Sequence, residues 1–283
     1  MLRIFKKLID PKKEILSEIK QLNFDDVENI VKLIKPTAIL DIENGIPKIG
    51  SSKFGGCPDL YNSSKWPVFD NKPMVFLCQI STKELSKVDC GFIFKKDGLI
   101  SVFHHFDNPE SEYGAIYDYS PSRHMYKIVF NETTNELQRL SYPDNYVKDY
   151  EFEEKAIVFK QSYQIPGSPE HIAVINSKLN ESDKNKLYDY AERFMNIFES
   201  QIGGYPLPVQ AGPELDWTSS KFPNLKYLSS EFVFKALEFE NLLSFTFQFD
   251  FESIGDSNMY IGITKEDLEK LNFDEAIIIH QAT

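Results

Sequence analysis

The sequence is poor in features that announce a chemistry. It holds three cysteines, Cys57, Cys78 and Cys90, far apart and with no C-x-x-C pair. A zinc ribbon and a thioredoxin-like motif are therefore excluded, and reduced thiols in a cytoplasm are the simplest account. There is no G-x-S-x-G elbow, no Walker A loop and no G-x-G-x-x-G turn. Serine-elbow hydrolases, P-loop NTPases and dinucleotide-binding folds thus have no motif to stand on, and no cofactor is expected. No apolar run approaches the length of a membrane span. The alternating basic and apolar residues 1–9 lack the apolar core of a secretory signal and read as a helix packed on the domain. Cations are scarce: 31 Lys and Arg against 43 Asp and Glu leave a formal charge of -12 at pH 7. A nucleic-acid binder needs a basic footprint that is missing here. The partner classes left are a basic protein or a small ligand, with neither nucleic acid nor membrane expected.

Apolar matter is plentiful. Hydrophobic residues make up 42% of the 283, with 23 Phe and 14 Tyr, enough for a sizeable core and favourable to strands. Val27, Ile30, Val31 and Ile34 share one helix face, and Pro36 ends that helix before a strand over 37–42. The Ser-, Gly-, Pro- and Asn-rich stretch 51–73 reads as an ordered loop. Met74 to Ile80, apolar at successive positions, reads as a strand covered on both faces, with Ser81-Thr82-Lys83-Glu84 capping a short helix. Asp97-Gly98 signals a hairpin between strands at 91–94 and 99–106. Further strands are expected at 125–130 and 155–163. A helix capped by Ser182 is expected over 183–200, with strands at 232–237, 244–251, 259–263 and 276–281 and a short helix capped by Thr264. Strands outnumber helices without regular interleaving. That predicts an α+β fold of mostly antiparallel sheet, with N-terminal helices and one long helix between two halves.

A weak internal echo supports two halves. Phe54-Gly55-Gly56-Cys57-Pro58 recurs as Ile202-Gly203-Gly204-Tyr205-Pro206, and Phe76-Leu77-Cys78-Gln79-Ile80 as Phe245-Thr246-Phe247-Gln248-Phe249, in the same order. An N-terminal helical segment over 1–39 is expected ahead of a domain over 40–283. Its halves, about 40–165 and 166–283, divide at the Pro166–Pro169 break. The string from Ser52 to Leu60, Trp66-Pro67 and the Phe76 strand, followed by Gly204-Tyr205-Pro206 to Gln210, Leu243 to Asp250, Gly255-Asp256 and Met259 to Ile261, resembles the YwqG-like family of bacterial proteins. The family's aromatic before Gly-Asp is Ile254 here, its following glycine is Asn258, and its histidine before the second glycine element is replaced by Ser200-Gln201. The resemblance implies a mixed α+β fold with an internal duplication and carries no established activity.

The candidate ligand-binding residues follow the echo. Lys53, Gly55, Gly56, Pro58, Trp66 and Gln79 belong to the first half. Gly203, Gly204, Tyr205, Pro206, Gln210, Gln248 and Asp250 belong to the second. Glycine loops either bare their amides to a ligand or turn tightly into a proline-fixed segment. A buried Gln79 either brackets backbone or reads a ligand. His104-His105-Phe106-Asp107 is the one local cluster with metal-like chemistry; His105 and Asp107 would share a strand face, and two ligands are too few, so no metal is expected. These features suggest a cytoplasmic, non-enzymatic binding protein that presents the seam between its halves, with an immunity-like role as one concrete form. The alternative is a hydrolase-like enzyme in the same seam, with His104 or His105 as general acid/base and Asp59 or Asp256 nearby.

Overall fold

A computed structural model of the chain describes residues 10–61, 64–106, 124–132, 136–148, 151–194, 200–247 and 257–282. Helix α1 (Pro11–Gln21) starts where Asp10 accepts the Lys12 N–H and Pro11 takes the first helical position. Helix α2 (Val27–Lys32) is capped by Asp26 and runs for less than two turns. At that length the expected stripe cannot all face inward: Ile30 is buried, while Val27 and Val31 are exposed.

The strands are β1 (Lys35–Asn44), β2 (Lys53–Phe54), β3 (Asp59–Tyr61), β4 (Val68–Phe69), β5 (Lys72–Pro73), β6 (Val75–Ser81) and β7 (Leu99–His104), then β8 (Tyr126–Asn131), β9 (Leu137–Arg139), β10 (Lys155–Gln164), β11 (Gln201–Gly203), β12 (Phe239–Phe247), β13 (Ser257–Thr264) and β14 (Ile277–Ala282). Between them lie α3 (Thr82–Leu85), α4 (Ile172–Ile175), α5 (Glu181–Phe194), α6 (Pro213–Lys221), α7 (Ser230–Ala236) and α8 (Lys265–Glu269). Ten strands form one antiparallel sheet in the order β14-β13-β12-β11-β1-β10-β2-β6-β7-β8. The fold is thus α+β with a mostly antiparallel sheet, and β1 and β10 pair at its centre from Lys35↔Gln164 to Asn44↔Lys155.

The sheet curls until its ends approach. Tyr126 of β8 donates its hydroxyl to the Ala276 carbonyl at 3.1 Å, just before β14. The curl encloses an apolar interior that includes Val102, Ile202, Leu243, Phe245, Met259, Ile261 and Ile278. Outside it, Trp217 of α6 packs on Phe239, Tyr260, Ile277 and Ile279. The N-terminal helices share a third cluster with the segment after β10: Ile15, Ile19, Phe24 and Ile30 meet Ile165, Val174, Leu179 and Leu187. Buried Asp183 of α5 fastens them by accepting the Asp25 and Asp26 N–H groups at 2.6 and 2.9 Å. The boundary expected at 39/40 falls inside the central strand β1, and these helices are packed on the same body.

Three expectations about elements need correction. Residues 91–94 form no strand. Gly98 instead folds back on the start of α3, donating its N–H to Thr82 Oγ1 at 2.8 Å and accepting the Thr82 N–H at 3.0 Å. Residues 232–236 are helical and Leu237 ends the helix, because Ser229 Oγ caps α7 by accepting the Phe232 N–H. Helix α5 is started by Asn180, whose Oδ1 accepts the Asp183 N–H at 2.8 Å, rather than by Ser182. Helix α6 was not foreseen, although Gly212-Pro213-Glu214 has the proline and acidic first turn of a helix start. Among the described residues no helix is long and apolar enough to cross a membrane.

Candidate functional site

Both glycine pairs adopt the left-handed backbone that favours glycine, with φ +63° and +66° at Gly55 and Gly56 and +73° and +64° at Gly203 and Gly204. Each pair leaves the strand second out from the centre of the sheet, β2 on one side and β11 on the other. Neither pair is bare. Gly55 and Gly56 donate to the Leu77 and Phe152 carbonyls at 2.8 and 2.9 Å. A Cβ on Gly55 would stand 2.4 Å from the Glu153 carbonyl oxygen, and one on Gly203 would stand 1.9 Å from that of Cys90. The glycines are required because backbone passes against backbone. Gly203→Ala is expected to lose about 2–4 kcal/mol, from left-handed strain plus overpacking; urea unfolding of the variant checks this, and a loss within 0–1 kcal/mol, as at an ordinary surface site, would refute the packing account.

Beneath the first pair lies a buried charge network. Lys53, fully buried, donates to the Cys57 carbonyl and to Glu154 Oε1, and stands 3.6 Å from Asp59 Oδ1. Asp59, also fully buried, accepts Arg139 Nε at 2.9 Å, Gln79 Nε2 at 2.7 Å and the Gly50 N–H at 2.9 Å. Arg139 also reaches Glu154 at 2.7 Å. Burial pushes the Lys53 ammonium below its usual range. Burial would raise Asp59, but Arg139, Lys53 and the Gly50 and Gln79 donors outweigh it and hold the carboxyl low. Gln79 closes the bracket on backbone, accepting the Asp59 N–H and donating to the Ser51 carbonyl. Pro58 is buried with its carbonyl bonded to Leu140 N–H, and Trp66 donates to the Met74 carbonyl while packing on Phe103 and Tyr146. These residues therefore form a packed corner, with two cations and two carboxylates paired.

The second pair differs. A small, open cleft of about 40 Å³ lies beside it, lined by Gly204, Tyr205, Pro206, Lys35, Glu214 and Trp217 among others. Lys35 sits at the start of β1 with its ammonium 4.5 Å over the Tyr205 ring. Among the described residues it forms no ion pair. Glu214, in the first turn of α6, accepts His171 Nδ1 at 2.9 Å and the Ile172 N–H at 2.8 Å, both at Oε1. It thereby joins α6 to the start of α4. Burial would raise the Glu214 carboxyl, but His171 and the N–H donors hold it below the usual range. The His171 ring lies 5.4 Å from that of Tyr205, and its buried Nε2 has no hydrogen-bond partner among the described residues. Neither Glu214 nor His171 was foreseen. They lie 43 residues apart, and only the acidic first turn of α6 left a trace in the sequence.

Gln210 lies past the cleft, where it and Val209 donate their N–H groups to Gln281 Oε1. Ser244 stands opposite Gln201 in the ladder, as Gln79 stands opposite Lys53. The echo pairing Gln248 with Gln79 is thus offset by the register, and Gln248, Asp250, Asp256 and Asp107 lie outside the described residues.

Among the described residues Asp59 is not the partner of His104, and Asp256, the other carboxylate expected beside a histidine, lies outside them. Asp59 is taken by Lys53 and Arg139. His104 points into the closed interior, where its Nε2 lies 3.2 Å from His280 Nε2 across the ends of the sheet. Burial pushes His104 down to about 3, and burial with His104 beside it pushes His280 well below its usual value. His105 faces the other way, on the Phe69 ring at 4.8 Å. Among the described residues no group of three or more His, Cys, Asp or Glu is placed to hold a metal. A second groove, of about 390 Å³, lies along the loop after α3 between Leu85, Cys90, Phe92 and Phe94. It contains none of the candidate ligand-binding or catalytic residues named from the sequence.

No curated protein matches the chain. A family model described as "Domain of unknown function (DUF1963)" matches residues 52–282, from the strand before the first glycine pair through β14. With most of its length covered by that match, the chain belongs to the DUF1963 family.

Proposed function

We propose that the protein is a binding module and that its ligand site is the cleft beside the second glycine pair. The observation that carries this reading is Lys35, which among the described residues has no ion pair, held over an aromatic face at the edge of a cleft in an acidic chain. Everywhere else near the glycine pairs the buried charges are matched within the protein. A cation left unmatched beside an open cleft is available to a ligand's acid group. On this reading the glycine strings are those of a YwqG-like protein, and the two sides of the sheet derive from one duplicated unit. The outward orders β10-β2-β6-β7-β8 and β1-β11-β12-β13-β14, each with a left-handed glycine pair on its second strand, support that origin. A thermal-shift screen of acidic metabolites tests the site. Stabilisation that disappears in Lys35→Met is the expected outcome, and stabilisation unchanged in Lys35→Met would remove the cleft from consideration.

One observation favours a second reading, a hydrolase-like enzyme. His171 and Glu214 have the geometry of a base and its orienting carboxylate, and the free Nε2 is the atom such a base would use. Ester and phosphoester turnover lost in a folded His171→Gln variant would support it; a blank panel with the wild-type protein would exclude it for those substrates.

A further inference from the structure

The cleft beside Tyr205 carries one charge of each sign, Lys35 at its edge and Glu214 in its wall. We propose that its ligand is a small zwitterion of the α-amino-acid type, with its carboxylate on Lys35 and its ammonium on Glu214. This rests on reading the cleft as a binding site.

The argument starts from what each group lacks. Lys35 has a ring beneath it and no carboxylate. A ligand carboxylate arriving there replaces a cation–ring contact with an ion pair. Glu214 spends Oε1 on His171 and the Ile172 N–H, and its own N–H also bonds the carboxylate. The side chain keeps 13% of its surface exposed. A carboxylate fixed in place and partly exposed keeps lone-pair capacity for one more donor, such as an ammonium group.

Ligands of a single charge are disfavoured by the same pair. A phosphate would gain one cation and meet the fixed negative charge of Glu214. A simple amine would gain Glu214 and meet the ammonium of Lys35. Only a ligand with both charges matches both groups. The rest of the lining includes Trp217, Phe239 and Leu237 together with Asn241, whose amide already bonds the Gly203 carbonyl and Ser244 Oγ.

Calorimetric titration of the full chain with each of the twenty protein amino acids tests this, followed by the N-acetyl and amide derivatives of the tightest. The expected result is at least one apolar amino acid binding below about 1 mM, with both derivatives at least about tenfold weaker. In Lys35→Met, a change on a half-buried side chain, the preference for free acid over amide is expected to collapse. Glu214→Gln, checked for folding by circular dichroism, is expected to erase the preference for free amine over N-acetyl. An N-acetyl derivative binding as tightly as the amino acid, still dependent on Lys35, overturns the zwitterion and leaves the binding site standing. No amino acid bound by about 10 mM also overturns it, and the binding-site reading falls with it only if the acidic-metabolite screen is blank as well.

Discussion

Replacing Lys53 by methionine is expected to destabilise the protein by about 3–5 kcal/mol, the range for breaking a buried ion pair from one side. The loss comes from the partners left behind. Asp59 is fully buried, and without Lys53 the two carboxylates Asp59 and Glu154 share the single cation Arg139. The Cys57 carbonyl also loses its donor. Methionine fills a similar volume, so little of the effect is a cavity. A second change separates charge from packing. Lys53→Met combined with Glu154→Gln returns the corner to one cation and one carboxylate, and is expected to recover more than half of the loss. Urea unfolding of the single and double variants measures both. A single variant that loses less than about 1 kcal/mol, as exposed pairs do, would mean the corner is open to water.

Acid is expected to unfold the protein in a window set by His104 and His280. Both are held neutral by burial, so their folded values lie below the ordinary value of 6.5. The sign follows from linkage: above 6.5 neither folded nor unfolded chain carries the proton, and the contribution is fully present. As pH falls below 6.5 the unfolded chain is protonated first, and stability is lost until the folded values are reached. For His104 that lower edge is about 3. At roughly 1.4 kcal/mol per pH unit for each histidine, moving from pH 6.5 to 5 costs about 4 kcal/mol for the pair. Asp59, with its folded value below 3.8, acts in a different window: its contribution is present above 3.8 and disappears in stronger acid. Urea midpoints at pH 7.5 and 5 in the wild type and in His104→Leu with His280→Leu distinguish the two. The double variant is expected to lose most of the pH dependence between those values. An equal fall in both proteins would assign it to other groups.

The buried pair also bears on why the sheet closes. Each Nδ1 of His104 and His280 is buried without a partner among the described residues, an unfavourable arrangement for two polar rings. It persists where the ends of the sheet meet, inside a shell of apolar contacts that includes Phe106 and Met259. Removing both rings is therefore expected to leave stability at pH 7.5 close to wild type rather than sharply reduced, since no orphaned partner remains.

Local pattern was enough for much of the fold. The continuous apolar run before Ser81 is buried at every position of β6, as its composition required. Ser81 and Thr264 cap their helices as their spacing indicated. The glycine pairs take matching left-handed backbones because the residue type permits them. Where pattern failed, two local solutions competed. Glu231 to Leu237 has apolar residues that suit a strand, and Ser229 capping Phe232 decided for a helix. The turn signal at Asp97-Gly98 was overridden by hydrogen bonds to Thr82 at the head of α3.

What the sequence by itself determined is the class of the protein: an acidic α+β chain with a large apolar core, two glycine corners, and no recognised catalytic motif. Only the tertiary structure decided which corner is closed and which has a cleft. The two glycine strings are nearly alike, and the difference lies in what distant segments bring to them. Around the first, Arg139 and Glu154 arrive to match every charge. Around the second, Lys35 comes from the start of the central strand and Glu214 from the head of α6, with His171 locking the carboxylate in place. Hydrophobic period and capping act within a few residues and can be read locally. The matching of buried charges depends on contacts across tens to over a hundred residues, which the sheet order alone brings together.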